Sequence, residues 1–148
     1  MDKKYAVIIP IGLLIVILDQ LTKYIIKHNF RLNESIPIIK NILHLTYITN
    51  TGSAFGLFKG LNWFFILFSI IVVIAIFYYL KKAVKNNEKL TQFAVGLLLG
   101  GTIGNLIDRI AYGAVIDFID FRIWPVFNVA DSAVTISVVL LITLLWKK

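Results

Sequence analysis

The sequence predicts an all-α membrane protein with four transmembrane helices, and three observations carry that prediction. Of its 148 residues, 59% are hydrophobic and 16% charged, against roughly 25% charged in ordinary soluble domains. Stretches approaching the roughly 20 apolar residues that cross a bilayer core as helix occur at Tyr5 to Ile26, Leu61 to Leu80, Phe93 to Ile110 and Phe127 to Trp146. Most basic residues flank these stretches and form no patch with interleaved aromatics, so the net charge of +7 speaks for membrane orientation and against nucleic acid. Residues 1–148 read as a single integral-membrane domain, because the spans and their connections leave no room for a soluble one.

Span one opens like a secretory signal, with Lys3 and Lys4 before the apolar run, but no small-x-small cleavage site follows, so it reads as retained. Its outer end holds Asp19, Gln20, Thr22 and Lys23. Asp19 and Lys23 are an i, i+4 pair on one helical face; as an exposed pair they would contribute only about 0.3–0.5 kcal/mol.

In the connection from 27 to 60, Leu43, Leu45 and Tyr47 alternate with His44 and Thr46 before the turn signal "NTGS". That period of two predicts one or two short strands at the membrane surface. Asn50 and Gly52 read as turn residues, and the glycines between 51 and 60 predict a mobile loop.

Span two has the composition of a lipid-facing helix and ends among Lys81, Lys82, Lys85 and Lys89. Span three is different: it closes on "GGTIGNLIDRI", with Asn105, Asp108 and Arg109. Taken alone, Asp108 and Arg109 read as a snorkelling polar helix end. In "GAVIDFIDF", which follows, Gly113 and the β-branched Val115, Ile116 and Ile119 favour an extended stretch, although continued helix stays open.

Pro125 then interrupts any continuous helix, and span four begins with Asn128 as N-cap and Asp131 in its first turn. An ionisable group inside a span is functional by default. By the positive-inside rule both termini and the Lys81–Lys89 connection are cytoplasmic, and the connections 27–60 and 111–126 lie outside. All the polar groups of spans one, three and four therefore gather at the outer third of the bundle.

The inventory narrows the chemistry. There is no HExxH, GxSxG or P-loop and no cysteine, and His28 and His44 are not at metal-ligand spacing and read as surface groups. No metal or cofactor is expected. Carboxylates remain as acid/base machinery: Asp131, and either Asp117 or Asp120 brought to it across the turn at Pro125. Two aspartates in one site cannot both ionise easily, so one proton is shared, and the pair can activate water and protonate a leaving group. A proton or cation path is the rival, but a path needs polar groups at mid-depth and on the inner side.

Taken in order, "DQLTKYII", "NTGSAFGLF", "GGTIGNLIDRI", "GAVIDFIDF" and "FNVADSAVT" closely resemble the sequence blocks of signal peptidase II, the bacterial lipoprotein signal peptidase. The resemblance covers nearly the whole chain. It implies an integral-membrane aspartyl endopeptidase of the bacterial cell membrane, multi-pass, with its site toward the extracytoplasmic face. The implied substrates are diacylglyceryl-modified prolipoproteins, cleaved just before the lipidated cysteine.

The implied fold adds a small extracytoplasmic β-cradle and a flexible outer helix or loop to the four helices. Carried over by position, the catalytic pair falls on Asp117 and Asp131, which selects Asp117 over Asp120. Substrate-binding or site-supporting positions fall on Asp19, Lys23, Asn50, Gly52, Ala54, Asn105, Asp108, Arg109, Asn128 and Ala130. Membrane lipids and globomycin-like cyclic peptide inhibitors are the further implied partners. One position departs from the pattern: Ser53 stands where the family's Asn-x-Gly-Ala-Ala-Phe block has its first alanine.

Overall fold

The computed structural model describes residues 3–52, 60–82 and 84–146. Its elements run α1 (Tyr5–Asn29), β1 (Ser35–Ile39), β2 (Leu43–Asn50), α2 (Asn62–Lys82), α3 (Lys89–Tyr112), β3 (Val115–Asp120) and α4 (Val129–Trp146). Helices α1, α2 and α3 are long and apolar enough to cross a membrane, and α4 is a further apolar helix.

Helix α3 is the centre of the bundle. Two thirds (67%) of its most apolar window is buried, against 17% for α1 and for α2. It packs on α1 and α4, and α2 lies chiefly against α3. Outward, α1 and α2 expose Leu13, Ile17, Ile71 and Ile74, a continuous apolar surface that only a bilayer accepts as solvent. Trp63, Tyr78, Trp124 and Trp146 are exposed near helix ends, where amphipathic rings settle at the headgroup level.

Glycine spacing explains how closely α3 approaches α1. Gly96, Gly100 and Gly104 recur every four residues and form a small-residue stripe of the kind that joins membrane helices. A Cβ at Gly100 would lie 2.6 Å from the Gly12 carbonyl oxygen, and one at Gly96 2.9 Å from Ile11 Cβ. At the end away from the sheet, Ile8, Ile76, Leu80, Val84, Val95 and Leu99 form the apolar core. Helix α3 starts four residues before the expected Phe93, because the Gln92 amide is buried and donates to the Lys85 carbonyl at 2.7 Å.

At the other end, the stretch after α3 is extended. Gly113 takes φ 72°, and its N–H closes on the Arg109 carbonyl at 3.2 Å, a left-handed cap that ends the helix and turns the chain into β3. The three strands form one antiparallel sheet in the order β1-β2-β3. Phe127 pairs back onto Ile119, its N–H donating to the Ile119 carbonyl at 3.1 Å and its carbonyl accepting the Ile119 N–H at 2.8 Å. The hairpin around Pro125 therefore joins a strand to a helix, where two antiparallel helices were the alternative. It delivers the start of α4 to the middle of β3.

Candidate active site

Asp117 stands on β3 opposite Ile48 of β2. Strand alternation sends Asp117 and Asp120, three residues apart, to opposite faces. Asp117 lines a cavity of about 870 Å³ bounded by α2, α3 and α4. Asp120 turns the other way, where burial alone would raise its pKa. Hydrogen bonds from Thr46 Oγ1 (2.7 Å), the Arg122 N–H (2.8 Å) and Arg122 Nη1 (3.0 Å) outweigh that and hold it below the ordinary carboxylate value.

Asp131 lines the same cavity from α4. Asn128 and Asp131 form a reciprocal cap. The Asp131 N–H donates to Asn128 Oδ1 at 2.8 Å, and the Asn128 N–H donates to Asp131 Oδ2 at 3.2 Å. The same asparagine reaches the other carboxylate, with Nδ2 donating to Asp117 Oδ1 at 2.7 Å. One buried residue thus links both aspartates. Asn50, at the end of β2, adds an Nδ2 contact to Asp117 Oδ2 at 3.3 Å, and Asn105 of α3 donates to Asp131 Oδ1 at 2.7 Å. Each carboxylate thereby has both oxygens engaged by neutral amides.

Behind this pair lies a buried ionic layer. Lys23 Nζ sits 2.7 Å from Asp19 Oδ2 and 2.9 Å from Asp108 Oδ2, and donates to Asn105 Oδ1 at 3.0 Å. Lys23 is 2% exposed and Asp19 0%, so the pair read as an exposed i, i+4 contact is a buried one. Such a pair is held only if its remaining oxygens are satisfied, and here they are. Asp19 Oδ1 accepts the Ala130 N–H at 2.9 Å, and Asp108 Oδ2 accepts the Ile116 N–H at 3.0 Å. The layer therefore fixes the first turn of α4 and the residue before Asp117. Gln20, which the sequence reading left out of the site, donates to Asp108 at 2.9 Å and to the Gly104 carbonyl at 3.1 Å. Its position beside Asp19 at the polar end of span one was the available signal.

Asp108 and Arg109 do not form a snorkelling helix end. Asp108 is fully buried against Lys23. Arg109 projects to the cavity instead, with its guanidinium 5.1 Å from the Phe65 ring centroid and 3.5 Å from the Gly52 carbonyl. Its charge acts on both Asp131 and Asp117. Gly52 closes an Asx turn, its N–H donating to Asn50 Oδ1 at 3.0 Å. Ala130 is buried where a larger side chain would meet Gly104 and Asp19. Ala54 lies outside the described residues, as does Ser53. His28 is exposed on the Tyr24 carbonyl and His44 contacts Ser35; neither approaches the pair.

Burial first, and then the charge of Asp131, pushes the Asp117 carboxyl up to about 7. A carboxyl at that value is still substantially protonated near neutral pH, which is what an acid/base carboxylate pair requires. Among the described residues no cluster of three or more His, Asp or Glu forms a metal site.

A multi-pass membrane bundle with two cavity-facing aspartates joined by one asparagine has the build of a membrane-embedded aspartic peptidase. Comparison with known proteins makes this specific: the family model described as signal peptidase (SPase) II matches residues 11–147, and the chain belongs to that family. The lipoprotein signal peptidase of Halothermothrix orenii is 44% identical over 136 residues, covering 92% of each chain. That of Geobacillus kaustophilus is 47% identical over 131 residues, 86% of this chain and 84% of the relative. A solved bacterial membrane enzyme at 1.9 Å resolution superposes with a TM-score of 0.89 at 41% identity, covering 100% of this chain and 99% of the other. The protein is accordingly a multi-pass bacterial membrane protein and an aspartic peptidase of the signal peptidase II type.

Proposed function

We propose that this chain removes the signal peptide from diacylglyceryl-modified prolipoproteins, cutting just before the lipidated cysteine, with Asp117 and Asp131 as the catalytic pair. The observation that supports it most is the sharing of Asn128 by two carboxylates at the mouth of one membrane cavity. In this reading a water held between the carboxylates attacks the scissile carbonyl. The ionised aspartate takes the water proton, and the protonated one delivers its proton to the leaving amine. Asp117, the carboxyl held at about 7, begins as the acid. Arg109 and Asn128 offset the charge that develops at the carbonyl oxygen.

The basic residues support an orientation. Under the positive-inside rule Lys4, Lys81, Lys82, Lys85 and Lys89 support a cytoplasmic side that holds both termini. The sheet and the aspartates then face the extracytoplasmic side of the cell membrane, where β1–β2 forms the cradle. Globomycin-like cyclic peptides fit the same cavity as competitors.

The test is incubation of the purified protein in detergent with a diacylglyceryl-modified precursor and with the same precursor unmodified. Cleavage confined to the modified form, insensitive to a chelator and lost in Asp117→Asn and Asp131→Asn, is the expected result. Equal processing of both precursors, or activity surviving in either variant, overturns the reading.

A further inference from the structure

The cavity below the aspartates carries hydroxyl groups that the proposed chemistry does not use. In a membrane helix, a serine or threonine ordinarily returns its hydroxyl to a carbonyl three or four residues back. Thr22, Ser132, Ser137 and Thr143 all do so here, at 2.7–2.9 Å. Among the described residues, Ser69 of α2, Thr102 of α3 and Thr135 of α4 make no hydrogen bond, and all three line the cavity. Ser69 is only 8% exposed. Thr91, also without one, lies in the first turn of α3, where no helical carbonyl precedes it.

The three sit at a common depth. Asn62 Nδ2 donates to the Arg109 carbonyl at 3.1 Å and ties α2 to α3. Seven residues along each helix from that tie lie Ser69 and Thr102. Thr135 is one turn, about 5.4 Å, beyond Asp131. Three helices thus present a ring of unpaired donors just inward of the acidic pair, within walls that are otherwise apolar, such as Phe68, Val72, Leu98 and Val138.

A donor stranded in hydrocarbon costs free energy until an acceptor arrives. The carbonyls of a substrate's transmembrane helix are already bonded within that helix and take a second donor only at close approach, as the Arg109 carbonyl does from Asn62. Acyl ester carbonyls are acceptors with no donor of their own, and in a diacylglyceryl-cysteine they lie a few bonds from the scissile peptide. We infer that Ser69, Thr102 and Thr135 form a subsite that hydrogen-bonds the ester carbonyls of the substrate's diacylglyceryl group. This rests on the proposed function and adds to it the feature of the lipid that is read.

The experiment compares two precursors that differ only in the lipid: one whose cysteine carries a 2,3-diacyloxypropyl group, and one with the matching 2,3-dialkoxypropyl ether. Wild-type protein should show a KM several-fold higher for the ether. Ser69→Ala, Thr102→Val and Thr135→Val should each raise KM for the ester about two- to tenfold. The triple variant should no longer distinguish ester from ether. Retained cleavage of the ether by that variant reports a folded enzyme, and Thr135→Val alone, at an exposed position, serves if the triple variant does not fold. Equal KM for ester and ether in the wild type, with ester cleavage intact, overturns the subsite and leaves the proposed function standing. A wild-type protein inert toward the ester precursor overturns both.

Discussion

Asn128 and Asp131 cap one another across the first turn of α4, with bonds of 2.8 and 3.2 Å. The carboxylate assigned to catalysis is thus also part of the helix start. In Asp131→Asn the amide oxygen still accepts the Asn128 N–H, so the cap survives while the ionisable group is gone. Asp117→Asn and Asp131→Asn should each reduce cleavage by at least about 10²–10⁴-fold, the range of lost general acid–base catalysis. Far-ultraviolet circular dichroism should stay unchanged.

Asp120→Asn provides the contrast. Its carboxylate binds Thr46 and Arg122 on the far face of β3, so this variant should lose about 1–3 kcal/mol of stability and keep cleavage within a few-fold of wild type. Loss of activity equal to that of Asp117→Asn would transfer the catalytic role to the wrong face of the strand and sink the assignment.

The Asp117 carboxyl also predicts a pH dependence. Burial and the charge of Asp131 raise it from 3.8 to about 7, so the folded state binds this proton more tightly than the unfolded state does. Its contribution to stability is complete below pH 3.8 and is lost as the pH rises through about 7. Over that window the wild type should lose on the order of a few kcal/mol that Asp117→Asn does not. In the folded protein the shared proton leaves around pH 7, so kcat should fall above about pH 7. A rate that keeps rising to about pH 9 would contradict Asp117 as the acid.

The pattern of residues that made the fold legible was hydropathy. Apolar runs located every helix to within a few residues, and period two found β2. What hydropathy could not see was packing between distant segments. Asp108 and Arg109 are adjacent and equally polar, yet helical rotation sends the first to Lys23 and the second to the cavity. Composition and spacing could not separate Asp117 from Asp120; the resemblance chose Asp117 by position, and the register of β3 against β2 gives each its own face. The four-residue spacing of Gly96, Gly100 and Gly104 was present in the sequence, but its meaning depends on Gly12 and Asp19 of another helix.

Lys23 is the only cation between two buried carboxylates among the described residues. Lys23→Met leaves Asp19 and Asp108 facing each other without compensation, a change that costs about 3–5 kcal/mol in buried pairs. Asp19 and Asp108 hold the N–H groups of Ala130 and Ile116, so the start of α4 and the residue before Asp117 should loosen together. Thermal unfolding in detergent should fall sharply and cleavage with it. A variant as stable as wild type would show that the layer does not bear on the fold.

Gly104 tests whether close packing of helices sets the site. A Cβ there would stand 2.6 Å from Asp19 Oδ2 and 3.3 Å from Ala130 Cβ. Flexible side-chain ends can yield, but Asp19 is fixed by Lys23 at 2.7 Å and by the Ala130 N–H at 2.9 Å. Relief therefore has to come from separation of α1, α3 and α4. Gly104→Ala should cost about 1–3 kcal/mol, as overpacking of a tight interior does. Because Ala130 lies one residue before Asp131, it should also lower kcat more than it raises KM. An alanine variant with wild-type stability and kcat would mean that the helices have room to spare, and that the glycine is not what aligns α4 with β3.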